Sequence, residues 1–271
     1  MPETRDSALR GDCAQCFGLC CVALPFAKSA DFAVDKSAGD PCRNLQDDFR
    51  CGIHARLRPS GFQGCTVYDC FGAGQQVSQV TFGGVSWREA PETARQMYEV
   101  FPVVRQLHEL LRYLTEALER PAARRLHGEL RTALRRVEEL TALPAADLEK
   151  LDVGPVRAEV NPLLLRTSEL VRATAGGKPR GRRGADLIGK RLRGAKLRGT
   201  DLRGALLIAA DLTGADLTLT DLIGADLRDA DLSGAVLTDA LFLTQPQLNS
   251  ARGDAATVLP PGFDRPSHWT S

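Results

Sequence analysis

The residues best suited to chemistry are eight cysteines, which all fall within the first 70 of 271 positions. Two thiols separated by two to four residues can bind one metal ion from a single backbone turn. A histidine three positions after a cysteine can bind in the same way through its imidazole. The candidate metal ligands are therefore Cys13, Cys16, Cys20, Cys21, Cys42, Cys51, His54, Cys65 and Cys70.

Nine donors are enough for two four-coordinate centres. Cys20 and Cys21 are adjacent and point in opposite directions on an extended chain, so they serve different centres, or one binds while the other packs. Zinc is the expected metal, because cysteine pairs with a histidine suit it. Iron or an iron–sulfur cluster is the alternative. A disulfide framework and eight unrelated thiols are the other interpretations, and a cytosolic chain disfavours the first.

The chain around the cysteines is rich in turn-forming residues, for example at 37–41 and 72–74. A bound metal would supply stability that so small a core lacks. We therefore predict a loop-rich, Cys-rich metal-binding domain over 1–90. The apolar run at 79–82, followed by two glycines, is interpreted as a strand that closes it.

Apolar residues at three- and four-residue spacing predict a helical segment over 91–175. One helix is expected from about Pro91 to Leu118, a second from about Pro121 to Leu143, and a third from about Pro162 to Ala173. The first two should form an antiparallel hairpin. His108 and His127 lack the nucleophile or second histidine that catalysis would need, so they are interpreted as surface or boundary residues. A basic, Gly-rich linker is expected at 176–184.

The segment 185–244 repeats a five-residue unit with a leucine at its centre. A helix of period 3.6 cannot keep a five-residue spacing on one face, so the pattern predicts a stacked coil with the leucines inside. Lys190 departs from the small inward residue of the other units. The inward central positions are Leu187, Leu192, Leu197, Leu202, Leu207, Leu212, Leu217, Leu222, Leu227, Leu232, Leu237 and Phe242.

These units, such as Gly-Ala-Asp-Leu-Thr and Gly-Ala-Asp-Leu-Arg, resemble the pentapeptide-repeat family. The resemblance implies a right-handed quadrilateral β-helix of about three coils, with one unit on each side. The residues 245–271 resemble the C-terminal cap of many members, in which a short helix and a tryptophan cover the end of the stack. The expected fold class is therefore mixed, with a helical hairpin and a Cys-rich domain before the β-helix.

The Cys-rich part more loosely resembles a zinc- or iron-chelating family that carries an N-terminal Cys-x3-Cys-x2-Cys-Cys motif. This chain has Cys-x2-Cys-x3-Cys-Cys at that place, Cys42 and Cys51 as a middle pair, and Arg58-Pro59 before Cys65. What the resemblance implies is metal binding rather than a reaction.

Charge along the repeats is uneven. The segment 178–203 holds ten basic residues against Asp186 and Asp201, and 205–244 holds seven aspartates against Arg228. Either these are solvated outward positions, or the basic end meets an anionic partner and the acidic coils meet a basic groove. Some pentapeptide-repeat proteins imitate DNA and bind a topoisomerase, which is one alternative function.

The leading hypothesis is a non-enzymatic, metal-binding protein with a repeat module for contact with an unknown protein partner. An iron–sulfur or non-haem iron redox enzyme is a further alternative. No apolar run is long enough to cross a membrane and no signal peptide is recognisable, so a cytoplasmic location is expected. The segment 184–190 has phosphate-loop spacing, but Arg191 stands where Ser or Thr must reach magnesium, so no nucleotide is expected.

Overall fold

The structure is a computed structural model that describes residues 8–176 and 180–269. Two units are present: the residues up to Glu119 with Leu126–Leu164, and Arg120–Arg125 with the residues from Leu165 onward. Three positions of the expected linker, 177–179, and the outermost residues of the two terminal segments lie outside the described residues. Among the described helices, none is long and apolar enough to span a bilayer.

The Cys-rich part of the first unit is built from short turns. Its α-helices are α1 (Leu19–Val22), α2 (Gln63–Thr66) and α3 (Ala73–Gln75), and 3-10 turns occupy Cys13–Gln15 and His54–Arg56. Antiparallel bridges join Phe26 to Lys36 and Leu45 to Cys51. So much backbone outside regular elements must be held by side-chain packing or by a bound group.

The strand expected at 79–82 is wrong, because Gln76–Thr81 form a π-helix that continues α3. Gly72 opens this helical run in the left-handed region at φ +79°, and Gly83 follows it at φ +63°. Val77 and Ser78 are buried on its inner side. Packing against the rest of the unit overrides the β-propensity of Val80, Thr81 and Phe82.

The first two helices expected from the sequence are present, whereas the third begins earlier than expected. A 3-10 turn at Pro91–Thr93 leads into α4 (Ala94–Glu119), and another at Pro121–Leu126 leads into α5 (His127–Thr141), which packs on α4. α6 (Ala145–Leu148) follows. α7 (Val153–Ala173) begins well before Pro162, which lies inside it. A proline inside a helix removes one backbone hydrogen bond, and its ring crowds the carbonyl four residues earlier, so packing of the helix must offset both effects.

His108 is a core residue of α4, not the surface or boundary residue expected from the sequence. Its Nδ1 lies 2.7 Å from the carbonyl oxygen of Phe71. Burial lowers the pKa of the imidazole. The contact ties the chain beyond Cys70 to the long helix, so this histidine has a structural role. His127 is half-buried, as expected.

The repeats form a β-helix in which each unit stacks on the unit twenty residues later. Asp186 pairs in parallel with Leu206, and Leu206 with Asp226. The only described two-residue strands, β1 (Arg180–Gly181) and β2 (Thr200–Asp201), pair with the same offset. One turn of the β-helix therefore contains four units, and its backbone hydrogen bonds run between turns, as from the Leu187 amide to the Leu206 carbonyl at 2.8 Å.

The core of the β-helix is a stack of leucines and alanines that excludes water. Eleven of the twelve expected central residues belong to it or pack on it, with Leu192 partly buried. Phe242 is the exception. It is buried but takes a left-handed conformation at φ 56°, and Leu243 enters the core instead. Lys190 is exposed, in keeping with its departure from the repeat.

Each corner of the β-helix requires a left-handed residue, and glycine usually supplies it. Gly204, Gly214 and Gly224 have φ between 62° and 65°. Ala209 and Leu219 occupy the same place in their units with φ of 53° and 56°. An L-residue pays roughly 1–2 kcal/mol in this region, which glycine does not.

One side of the β-helix is covered by the C-terminal half of α7. Asp221 is completely buried there, with Arg203 Nη1 3.1 Å from its carboxylate. Arg172 of α7 lies 3.7 Å from Asp201 and donates to Ser168 Oγ at 2.9 Å. Burial raises the pKa of Asp221, and Arg203 acts against that shift. A buried carboxylate without such partners would be strongly destabilising.

The C-terminal end is closed by α8 (Gln245–Ser250) and Trp269, the two elements predicted for the cap. Gln247 Nε2 donates to the carbonyls of Leu222 and Ala225, both at 2.8 Å. The Trp269 indole donates to the Ala251 carbonyl at 3.1 Å. These bonds satisfy polar groups that the last turn would otherwise leave unpaired.

The inward assignment is tested by placing a charge in the core. Leu217 is fully buried in the middle of the stack. Leu217→Asp should unfold the β-helix, because its carboxylate would be desolvated without a counter-ion. Thermal unfolding followed by circular dichroism measures this, with the half-buried outward change Thr213→Asp as control. Equal melting of the two variants would contradict the inward position.

Corner strain is tested by a reciprocal pair of variants. Ala209→Gly should raise the free energy of unfolding by about 1 kcal/mol, because glycine relieves the left-handed conformation. Gly214→Ala should lower it by a similar amount, although no atom of the fold blocks a Cβ there. Urea denaturation measures both changes. A change of the same sign in the unfolding free energy of both variants would mean that the left-handed corner conformation does not decide between glycine and alanine.

Candidate metal centre and interaction surfaces

Cys20 is in electrostatic contact with six of the other seven cysteines. Its Sγ lies 4.0 Å from the Sγ of Cys21, and its charge acts on the thiols of Cys13, Cys16 and Cys65. It also acts on Cys51 and Cys70. All eight thiols are free. Residues separated by more than fifty positions in sequence are thus brought into one region, as the metal hypothesis requires.

The thiols are crowded rather than activated. Burial raises the pKa of Cys16 to about 12 and that of Cys65 to about 12. The pKa of Cys20 is raised chiefly by its contact with Cys21. Nucleophilic cysteines, by contrast, have a lowered pKa and positively charged surroundings.

Two glycines leave room for the sulfur atoms. A Cβ on Gly74 would lie 2.7 Å from Cys16 Sγ, and one on Gly11 would lie 3.1 Å from Cys70 Sγ. Backbone therefore packs directly on two of the candidate ligands. Any larger residue at 74 would displace the Cys16 sulfur.

The thiols do not converge tightly enough to enclose an ion. Within the described ranges, no group of three or more His, Cys, Asp or Glu residues has the geometry to hold a metal. His54, the ninth candidate, is exposed in its 3-10 turn. The expected ligands are near one another, and a metal would have to draw them closer.

Three residues near the thiols carry no motif and were missed by sequence reasoning. Lys36 Nζ donates to the Val22 carbonyl at 3.0 Å, and Cys42 and Cys21 act on its charge. The hydroxyl of Tyr68 and the amide nitrogen of Asn44 are buried without a hydrogen-bond partner. The only available signal was position: Tyr68 lies between Cys65 and Cys70, and Asn44 follows Cys42.

The aspartates of the repeats form hydrogen bonds with their own backbone. In each aspartate directly before a central leucine, Oδ1 accepts from the amide two residues later, as in Asp211 to Thr213 at 3.1 Å and Asp231 to Ser233 at 2.9 Å. Such a bond shapes the turn that follows. Aspartate before the leucine therefore has a structural reason that requires no partner.

The charge polarity expected from the sequence is present on the surface. The exposed basic residues of the first turn are Arg182, Arg183, Lys190, Arg191, Arg193, Lys196 and Arg198. In the next turn, hydrogen bonds from Thr213 chiefly lower the pKa of Asp211, with Arg193 and Arg191 contributing. Some of this charge is thus compensated between turns.

A different side of the β-helix carries exposed apolar residues. Ile188 and Leu206 are 48% and 40% exposed, and Ile208 beside them is half-buried. Outward apolar groups do not stabilise the stack. This apolar face, formed by Ile188, Leu206 and Ile208, is the described surface of the β-helix best suited to protein contact.

The fold and the comparisons agree on the class of the protein. Residues 183–207 and 200–239 match the family of pentapeptide repeats, with eight copies. The C-terminal region of the chain therefore consists of pentapeptide repeats.

The chain is 63% identical over 264 residues to the uncharacterized protein YybG of Bacillus subtilis (strain 168), a match that covers 96% of this chain and 95% of that protein. The resemblance of the Cys-rich part to a chelating family stays a prediction.

Two solved structures are similar to about a third of this chain. The pentapeptide repeat protein Rfr23 from the cyanobacterium Cyanothece 51142 is 33% identical, with a TM-score of 0.27, over 31% of this chain and 54% of that chain. A pentapeptide repeat protein from the thylakoid lumen of Arabidopsis thaliana is 26% identical, with a TM-score of 0.23, over 33% of this chain and 63% of that chain. This chain therefore spans less than two thirds of either.

The structural role of the aspartates predicts different effects for two substitutions at one position. Asp231→Ala should lose about 1 kcal/mol of unfolding free energy with the bond to the Ser233 amide. Asp231→Asn keeps an acceptor oxygen and should leave stability nearly unchanged. Urea denaturation of both variants measures the difference. An equal loss in both would show that the charge, not the hydrogen bond, is what the fold needs.

Proposed function

We propose that this chain is a metal-binding protein whose pentapeptide-repeat β-helix contacts a protein partner. The contacts of Cys20 with six other thiols, together with those of Cys42 with Cys51 and Cys65, carry the metal part of the proposal. The role of the metal is structural, since turns and 3-10 helices alone give this segment few buried contacts. Zinc is the first candidate, and iron or an iron–sulfur cluster is the second.

The electrostatic contacts favour two centres. Cys20 and Cys70 both act on Cys13 and Cys16, which supports a first centre of Cys13, Cys16, Cys20 and Cys70. The second centre would contain the remaining four thiols. Cys42 acts on Cys51 and Cys65, as Cys20 of the first centre also does, and the Cys42 amide donates to the Cys21 carbonyl at 2.9 Å. Cys20 and Cys21 lie in the helix α1 with their sulfurs 4.0 Å apart, not in opposite directions on an extended chain as expected, so the two centres would adjoin at this pair.

The glycines at 11 and 74 leave room for the sulfur atoms of Cys70 and Cys16, because a Cβ at either position would press on them. A bound metal would hold its ligands as thiolates and cross-link three distant parts of the segment. His54 is the ninth ligand predicted from the sequence, and neither of the two four-thiol centres requires it.

The apolar face of the β-helix supports the partner-binding part of the proposal. The side around Asp221 is covered by α7, so it is not available to a partner. Ile188 and Leu206 remain exposed on a rigid, flat surface formed by two successive turns. Such a surface binds with little loss of conformational entropy.

Metal content tests the proposal directly. Protein purified without oxygen should be colourless and contain about two zinc ions per chain, by elemental analysis and absorption spectroscopy. Cys20→Ser should lose at least one equivalent, and the exposed His54→Ala should lose none if eight thiols suffice. A brown protein that contains iron and sulfide would indicate an iron–sulfur cluster in place of zinc. Wild-type protein without stoichiometric metal would contradict the proposal.

A further inference from the structure

The backbone of the first turn of the β-helix leaves hydrogen-bonding groups unpaired. In the second turn, the Asp211 amide donates to the Lys190 carbonyl at 3.0 Å, and the Asp211 carbonyl accepts from the Leu192 amide at 2.7 Å. The equivalent groups of the first turn are the amide and the carbonyl of Arg191. Neither bonds to any residue that the structure describes, and the same is true of the Arg193 carbonyl. The first turn therefore presents an unpaired strand edge.

The core is also less covered at this end of the stack. The inward residues Ala185, Leu192 and Ala195 are partly buried, whereas the residues twenty positions later are completely buried. At the C-terminal end, α8 and the buried Trp269 cover the stack. The chain thus closes one end of its core and leaves contact with solvent at the other.

The open edge, formed by the backbone of residues 190–198, is bordered by exposed basic side chains. No acidic residue lies within this stretch. In the parallel bridges between the first two turns, Asp211 is the partner of Arg191, and Asp216 is the partner of Lys196. The fold itself thus places acidic residues against one side of this basic row. The basic residues of the row are Lys190, Arg191, Arg193, Lys196 and Arg198.

These observations define the chemistry of a segment that fits the open edge. Its backbone must be extended, as in strand addition to an exposed sheet edge. Its outward side chains beside Arg191 and Arg193 should be acidic, and the side chain between them, over Leu192, should be apolar. A second copy of the open edge would place like charges opposite one another, so self-pairing is disfavoured.

We propose that an extended acidic segment of a partner protein adds to the open edge as a β-strand. Backbone hydrogen bonds to Arg191 and Arg193 set its register, and its acid–apolar–acid pattern provides the specificity. This surface goes beyond the proposed function, because it involves neither the thiols nor the apolar face.

Binding is tested with a synthetic peptide and the full-length protein. The probe is labelled acetyl-Gly-Ala-Asp-Leu-Asp-Gly-Ala-Asp-Leu-Asp-Gly-amide, which carries the acid–apolar–acid pattern twice at the spacing of the repeats. Fluorescence polarisation at about 0.15 M salt should show saturable binding, because charges in close contact are not fully screened there. No saturable binding up to the solubility limit of the peptide would overturn the proposal.

A methylated peptide separates strand addition from simple charge attraction. The control probe is N-methylated at each leucine and at the glycine two residues later. These positions correspond to Leu192 and Gly194, whose amides donate to the next turn. The control keeps every charge but lacks the donors, so it should not bind. Equal binding of the two peptides would overturn the proposal.

Two charge reversals on the same side of the β-helix locate the contact. Arg193→Glu should weaken peptide binding about fivefold or more, because an attraction becomes a repulsion. The matched control is Arg252→Glu, since Arg252 is exposed and pairs with Asp231 at the far end of that side. It should bind like the wild type. Equal losses in two variants with wild-type melting would indicate a general attraction and contradict the proposal.

Hydrogen exchange measured by nuclear magnetic resonance identifies the paired strand. The Arg191 amide should exchange rapidly in the free protein and slowly with the peptide bound. The Asp211 amide, already bonded to Lys190, should be protected in both states. Unchanged exchange at Arg191 would overturn the proposal. Tighter binding of an oligodeoxythymidine than of the peptide would also overturn it and assign the edge to nucleic acid. Neither result affects the metal centres or the apolar face.

Discussion

The exclusion of water from a column of leucines spaced by five residues is the constraint on which the C-terminal part depends. Each leucine reaches the core only if the chain turns a corner after every unit, so the corners need a left-handed residue. The aspartate before the leucine then bonds to the amide beyond it, as Asp216 does with Thr218 at 3.0 Å. Core, corner and aspartate are thus parts of one backbone arrangement, which explains why the repeat tolerates few residue types.

A stack of this kind has two ends and four sides, and the chain uses its other segments to cover some of them. Trp269 and α8 close the C-terminal end, whereas α7 covers the side that contains Asp221. The ion pair of Arg203 with Asp221 lies beneath that helix, where one partner alone would be an uncompensated buried charge. Because α7 covers this side of the β-helix, the side has a structural role, and a partner can bind only to the other sides.

Sequence reasoning succeeded where one period governs the structure and failed where tertiary contacts decide. The five-residue spacing gave the β-helix and its inward leucines, and the helical spacing gave α4 and α5. It failed at Gln76–Thr81, where β-branched residues lie in a π-helix held by burial, and at Phe242, where the last unit bends into the cap. The cysteines were recognisable as a set from their spacing. Tyr68 and Lys36 were not, because residues brought near the thiols by tertiary contacts follow no regular spacing in the sequence.

The structure also bears on the two interpretations of the acidic coils, namely that their aspartates are solvated outward residues or that they imitate DNA. A carboxylate that imitates a phosphate offers its oxygens to a partner, yet one oxygen of each aspartate before a central leucine accepts from its own backbone. Asp221 is buried, and Asp226 is bound by Arg228 at 2.7 Å. Asp229 and Asp239 lie 3.6 and 3.9 Å from the guanidinium groups of Arg252 and Arg120. Topoisomerase binding stays a prediction that rests on the resemblance to the repeat family. The exposed side chains of Ile188 and Leu206 favour contact with an apolar surface of a protein partner.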